Sequence, residues 1–365
     1  MKKRNFALDF LKFVFAVLIV LFHSNRFSNS VDERIIINGS KGVEFFFIVS
    51  GCMLAMSAEK REAGPSLGMD TWQFLKHKFM GLMPNYYIAW IFSFTLFHIV
   101  TGFETVWYDF IRSIPELLLF QMSGMSWYNY NGVTWYLSAM LISMLIIYPL
   151  IRKYTDTFFY ILAPLGFLFS MGYLMQNYSN LSVILEWNTL VLAGLIRAFS
   201  EILLGCVVYK LSKSFQNYST KINRALFTAA EWFIYGYTIF FISVYKVSKY
   251  DFILLFFLAA AVCITVSGVS YDDIIFNHRI FAWLGKYSFS LYLGHTFWRN
   301  EKITSVIFGS GWSFRHKLFY YLILSFATGL LIMYLSEFIK HLWTKNRQQK
   351  SRLSFQQNEQ TISQI

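Results

Sequence analysis

The sequence predicts an all-α, polytopic integral membrane protein with about ten transmembrane helices and both ends in the cytoplasm. Three observations predict it. Of 365 residues, 56% are hydrophobic and 20% aromatic, while only 14% are charged; a soluble domain carries about a quarter charged residues. Apolar runs recur along the chain at the length needed to cross hydrocarbon, roughly 20 residues. The Lys and Arg residues between those runs are distributed unevenly, as membrane loops require.

The expected spans are 6–23, 42–58, 79–101, 134–151, 157–176, 189–209, 226–245, 252–270, 281–298 and 317–339. The run near the start follows a basic Met-Lys-Lys-Arg, as in a signal peptide. It contains Asp9 and Lys12 and lacks a small-residue cleavage site after it, so it reads as a retained first helix. With the N-terminus inside, the cytoplasmic segments hold 20 Lys and Arg residues and the outer segments 10. Lys12 and Arg197 fall within spans. The net charge of +12 therefore reads as cationic cytoplasmic loops rather than a nucleic-acid surface. Cys52, Cys206 and Cys263 all sit in apolar runs, with neither a disulfide framework nor metal-ligand spacing.

Two segments lie outside this pattern. Residues 102–133 form a long outer segment rich in aromatics (Trp107, Tyr108, Trp127, Tyr128, Tyr130). It reads either as an interfacial aromatic belt or as a re-entrant wall over an outward cavity. The polar, Gln-rich stretch 344–365 is expected to be a disordered cytoplasmic tail, which leaves 1–343 as one transmembrane domain.

Ionisable residues at membrane depth cost roughly 2.5–3.5 kcal/mol each even on the lenient insertion scale, so each needs a reason. The spans contain Asp9, Lys12, Glu44, Arg197, Glu201 and Glu231, with His23, His98 and His295 near outer helix ends. Lys12 and His23 are eleven residues apart. That is close to three whole turns, so both point the same way, roughly 16 Å apart along the axis. Asp9 can pair with Lys12 at i, i+3. The plain alternative is snorkelling, with each residue reaching its own headgroup layer. Arg197 and Glu201, at i, i+4, read either as a self-neutralising pair or as a site for an anionic group. Glu44 lies at the height of His23, and Glu231 reads as interfacial.

Four stretches carry a family resemblance. Leu8-Asp9-Phe10-Leu11-Lys12, with Ala16 and then His23, resembles the opening helix of the membrane-bound acyltransferase-3 family, the O-antigen and exopolysaccharide O-acetyltransferases. Gly42-Val43-Glu44-Phe45-Phe46-Phe47-Ile48-Val49-Ser50-Gly51, Trp135-Tyr136-Leu137-Ser138 and Leu284-Gly285-Lys286-Tyr287-Ser288-Phe289-Ser290-Leu291-Tyr292-Leu293-Gly294-His295 resemble its later motifs, in family order. Two positions depart from the pattern. Lys12 stands where the family mostly has Arg. In the run Lys76-His77-Lys78-Phe79-Met80-Gly81-Leu82-Met83-Pro84, Gly81 replaces the second Arg.

The resemblance implies an O-acyltransferase in the plasma membrane of a bacterium. It implies transfer of an acetyl or other short acyl group from cytoplasmic acyl-CoA, a co-substrate rather than a bound cofactor, to a hydroxyl of a cell-surface polysaccharide or lipid-linked glycan. The expected catalytic residues are His23, as general base or as acyl carrier, and Glu44, orienting its ring. Lys12, Lys76 and Lys78 are expected to bind the donor. Asp9, Trp135, Arg197, Glu201, Tyr292 and His295 are candidates for substrate binding or for structure, and no metal is expected. A transporter or flippase of a lipid-linked sugar, or a non-catalytic scaffold, is the alternative. The former would show paired halves with broken helices, and none is visible. Oligomeric state stays open.

Overall fold

The computed structural model describes residues 4–362, apart from 63, 126–128, 179, 219–222, 247, 249–250 and 310, and describes the side chains up to residue 345. Trp127 and Tyr128 of the aromatic segment, and Lys2, Lys3, Lys221 and Lys249 of the charge count, lie outside the described residues.

Ten principal helices carry the fold: α1 (Phe6–Ser24), α2 (Gly42–Lys60), α3 (Leu67–Thr101), α4 (Trp135–Lys153), α5 (Ala163–Asn177), α6 (Ala193–Asn217), α7 (Arg224–Val244), α8 (Asp251–Ser267), α9 (Arg279–Gly294) and α10 (Phe314–Ile362). Every expected span falls on one of them. Six helical stretches among the described residues are long and apolar enough to cross a membrane: Phe6–Phe27, Gly39–Lys60, Gly132–Lys153, Thr155–Asn177, Arg224–Val244 and Phe314–Lys345. The remaining expected spans, on α3, α6, α8 and α9, are shorter or carry more polar residues. α6, for example, buries Arg197, Ser200, Glu201 and Ser212 against its neighbours. A helix in the middle of a bundle need not be apolar all round, because protein rather than lipid surrounds it.

Local signals explain the boundaries. Asn5 caps α1, its side chain accepting from the Leu8 amide at 2.9 Å, and Ser66 caps α3 by accepting from Met69 at 3.3 Å. α3 starts twelve residues before the expected span, because Leu67–Lys78 continues the helix beyond the apolar stretch. The span expected from 189 begins at Ala193 instead, after a two-stranded hairpin that pairs Trp187 with Leu192 and Asn188 with Val191. α10 remains helical into the polar stretch after Thr344; Gln, Lys, Arg and Glu are good helix formers, so a solvated composition does not preclude helix.

Pairwise contacts give the helix directions. Glu44 meets Arg197 and Glu59 meets Lys213, so α2 and α6 run parallel. Asp9 meets Gly285 and His23 meets His295, so α1 and α9 also run parallel. Asp70 meets Arg152 near the start of α3 and the end of α4, and Arg224 meets Ser270 while Tyr235 meets Thr265. α3 with α4, and α7 with α8, are therefore antiparallel. Lys286 on α9 pairs with Glu337 on α10, and Gly294 packs on Gly329, which makes that pair antiparallel too. The faces turned away from these contacts are apolar, with Phe169 on α5, Phe233 on α7 and Phe338 on α10 all strongly exposed. A band of this kind suits a lipid surround.

The backbones of α2 and α6 approach closely where they cross. A Cβ on Gly51 would lie 2.1 Å from the Ile202 carbonyl oxygen, and one on Gly205 would lie 2.1 Å from that of Ile48. Small residues at such crossings let two helix backbones touch. Gly51→Ala should force the helices apart and cost about 1–3 kcal/mol through overpacking, read as a lower melting temperature of the detergent-solubilised protein. Gly236→Ala on α7, where an added Cβ meets nothing within 4 Å, should leave that temperature unchanged or raise it.

Candidate active site

Lys12 lines a cavity of about 420 Å³ enclosed by α1, α2, α3, α4 and α9. Its cations are Lys12 and Lys78, with His77 beside them, and its polar groups include Ser50, Tyr136 and Tyr292. Ser50 Oγ and Tyr136 Oη lie 2.9 Å apart, joining two of the sequence motifs across the cavity wall. Lys76 and His77 are both exposed, but of the two only His77, which the sequence reading did not select, lines the cavity. A second cavity of about 830 Å³ adjoins the first at Lys12 and Met53, and Arg4, Asp9 and Lys60 line it. Asp9 pairs with Arg4 and, at 3.3 Å, with Lys12. Its side chain packs directly over Gly285, where an added Cβ would lie 2.6 Å from it. The tight Gly285 step thus holds the base of α1 against α9.

At the other end of α1, His23 does not itself line the 420 Å³ cavity. Tyr292 lines it on the α9 side, its hydroxyl donating to the Val133 carbonyl at 2.8 Å. Behind Tyr292, 5.9 Å away between ring centroids, is His295, which stacks on His23 with centroids 5.1 Å apart and planes 14° from parallel. His295 is fully buried, with the Leu291 and Tyr292 backbone beside its ring. Asn131 steadies the turn that carries it by donating to the Leu293 carbonyl at 3.0 Å. Arg299 Nη1 lies 3.3 Å from His23 Nδ1. A guanidinium keeps its protons, so Arg299 is the donor and Nδ1 the acceptor. The neutral His23 ring then carries its own proton on Nε2. The order along this face is Lys12, the cavity, Tyr292, His295 and His23.

Glu44 is not the partner of His23. Lying in the first turn of α2, it faces α6, and its Oε1 is 2.8 Å from Arg197 Nη2 and 3.8 Å from Lys41 Nζ. Arg197 also donates to Glu201 at 3.1 Å, and its guanidinium lies 5.6 Å from the Trp135 ring centroid. Lys41 pairs with Asp251 at 3.2 Å. Glu44, Arg197, Glu201 and Trp135 thus come together as expected candidates, but in a buried ion cluster apart from the imidazole pair. The sequence reading missed Lys41, counted as a loop cation, and Asp251, one residue outside its span. The available signal was the i, i+3 spacing of Lys41 and Glu44. Arg299 was missed as well, having been counted as an outer-loop charge.

Three further placements complete the picture. Glu231 is fully buried, and Thr265 donates to its carboxylate. His98 is also buried, its Nδ1 3.0 Å from the Gly102 carbonyl at the end of α3. In the aromatic segment, Trp107 and Tyr108 are exposed, as a belt would be, while Tyr130 is buried against Trp90, Phe94 and Phe97. Glu116 ties that wall down by accepting from the amides of Tyr130 and Asn131, each at 2.8 Å. Burial pushes its carboxyl up to about 7 against the pull of those amides. Among the described residues no group of three or more His, Cys, Asp or Glu is placed to hold a metal ion.

The family model described as an acyltransferase domain matches residues 5–338. The chain belongs to the acyltransferase-3 family. No curated protein and no solved structure matches it. The match runs from the Asn5 cap of α1 into α10, so the 420 Å³ cavity, the imidazole pair, the ion cluster and all of the second cavity's wall but Arg4 lie within the acyltransferase-3 domain.

Removing one partner from a buried ion pair leaves the other charge uncompensated. Arg197→Ala should therefore destabilise the protein by about 3–5 kcal/mol, seen as a marked fall in melting temperature and in the yield of folded protein from membranes.

Proposed function

We propose that this acyltransferase-3 protein carries an acetyl or similarly short acyl group from cytoplasmic acyl-CoA to a hydroxyl of a cell-surface polysaccharide or lipid-linked glycan, across the plasma membrane of a bacterium. The observation that carries the reading is the arrangement along α1. A cation-lined cavity begins at Lys12, and a stacked pair of imidazoles stands behind its far wall. The alternation of helix directions, with odd helices parallel to odd and even to even in the pairs described, supports ten crossings with both ends inside.

In this reading the anionic head of acyl-CoA lies in the cavity bearing Arg4 and Lys60, and its thioester arm passes Lys12 and Lys78 into the narrower chamber. Two cations at the neck favour an anionic donor over a neutral one. The Tyr292 ring swings aside to admit the thioester tip to the imidazole pair. Arg299 releases His23 Nδ1, which is then free to accept a proton. The acceptor hydroxyl attacks the thioester carbonyl and its proton passes to His23. The carbon–sulfur bond breaks, and the departing thiolate takes the proton back to leave as CoA thiol. Glu44, Arg197 and Glu201 contribute by fixing α2 against α6 rather than by touching the ring.

His23→Ala should abolish transfer while the protein still inserts and retains its melting temperature. The measurement is incorporation of label from radioactive acetyl-CoA into membrane or surface glycan, and persistent labelling by the variant would rule out His23. Lys12→Arg keeps the charge and the Asp9 partner, so labelling should remain within a few-fold of wild type; complete loss would argue against Lys12 as a donor-binding cation.

A further inference from the structure

A third cavity, of about 550 Å³, opens beyond the outer end of α1. Arg26, Phe27, Asn29, Thr304, Phe308 and Lys317 contribute to its wall. They come from three places: the turn that follows α1, the short helix Glu301–Ile307 and the residue after it, and the first turn of α10. Arg26 and Phe27 follow His23 by three and four residues, so they stand on the same face roughly one turn, about 5 Å, farther out. Arg299, which holds His23 Nδ1, lies two residues before Glu301, another residue of this wall.

The wall has mixed chemistry. Two aromatic rings, three hydroxyls (Ser28, Thr304 and Ser305) and the Asn29 amide can meet the faces and hydroxyls of a sugar. The charge is not balanced within it. Glu301, its carboxylate, is taken by Arg26 at 2.8 Å. Among the described residues neither Lys317 nor Arg299, which interacts electrostatically with Arg26 but does not itself line the cavity, has a carboxylate within ion-pair distance. A cation held partly out of water without a counter-charge is costly, and an anion supplied by a ligand removes that cost.

We propose that this outer cavity is the acceptor subsite and that it selects a saccharide bearing an anionic group, either a carboxylate on the sugar or the phosphate of a lipid linkage. The inference rests on the acyl-transfer reading for its choice of acceptor. The anionic group sits between Lys317 and the Arg26 and Arg299 side, and the sugar ring lies against Phe27 and Phe308. An anion there competes with His23 for the Arg299 guanidinium. Binding of the correct acceptor thereby frees the nitrogen that takes the proton.

The test uses the full-length protein in nanodiscs, without acyl-CoA. Binding is compared for a disaccharide carrying one glucuronate, its uncharged glucose counterpart and a sugar 1-phosphate. The glucuronate compound or the sugar phosphate should bind about tenfold or more tightly than the neutral one, a gain that charge-assisted contacts of this kind supply, and whichever wins identifies the source of the anion. Lys317→Gln should erase that advantage and its sensitivity to salt. Lys302→Gln, whose ammonium lies over the Phe97 ring at 5.0 Å, should preserve both. Equal binding of charged and neutral saccharides, or an unchanged preference in Lys317→Gln, would overturn the subsite. Acetyl transfer from labelled acetyl-CoA, measured separately, distinguishes the two failures. Anion-selective binding without any transfer would sink the enzymatic reading and keep the subsite, and transfer without anion preference would do the reverse.

Discussion

The contact on which the rest depends is the parallel packing of α1 against α9. At its base the absence of a side chain at Gly285 admits Asp9, and Asp9 in turn holds Lys12 and Arg4. At its top His23 stacks on His295. Between these points Tyr321 of α10 donates to the Val20 carbonyl at 3.1 Å, locking a third helix onto the pair. A shift of α1 along α9 by one turn would carry an imidazole about 5 Å from its partner and part Asp9 from the glycine. The cationic neck and the imidazole pair are thus set by one interface, although neither pair of residues is adjacent in the chain.

The second constraint is electrostatic. Five charged side chains (Lys41, Glu44, Arg197, Glu201 and Asp251) are almost fully buried together. Taking any one of them out of water alone would be prohibitive, and only their mutual pairing makes the arrangement tolerable. They link α2, α6 and the start of α8, near the level at which α1 ends. With the glycine crossing of Gly51 and Gly205 below them, they give α2 and α6 a defined rotation. That rotation turns Ser50 toward Tyr136, where both line the cavity beside Lys12.

Much of this was legible in the sequence for a physical reason. Apolar length marks a span whatever its neighbours are, so all ten expected segments fall on helices. The eleven-residue spacing of Lys12 and His23 marks one face of a helix without knowledge of what that face meets. Partners between helices are another matter, because rotation about each helix axis depends on contacts far away in the chain. Glu44 could not be assigned to Arg197 rather than His23 from its height in the membrane alone. Lys41 and Asp251 sat just outside their apolar runs and so looked like loop charges. His77 was hidden in the same way, since three adjacent basic side chains at 76–78 point in different directions and only the packing of α3 says which of them reach the cavity.

The stacked imidazoles come from residues 23 and 295, and the guanidinium that engages the first of them from residue 299. A nascent chain threads its early helices into the bilayer long before the last of these residues has left the ribosome. Partly synthesised protein therefore has the cationic Lys12 but not the ring that covers His23, nor the arginine that occupies its nitrogen. The stack is completed only when α9 docks beside α1, so a chain ending before that point lacks both the ring that covers His23 and the guanidinium that engages it.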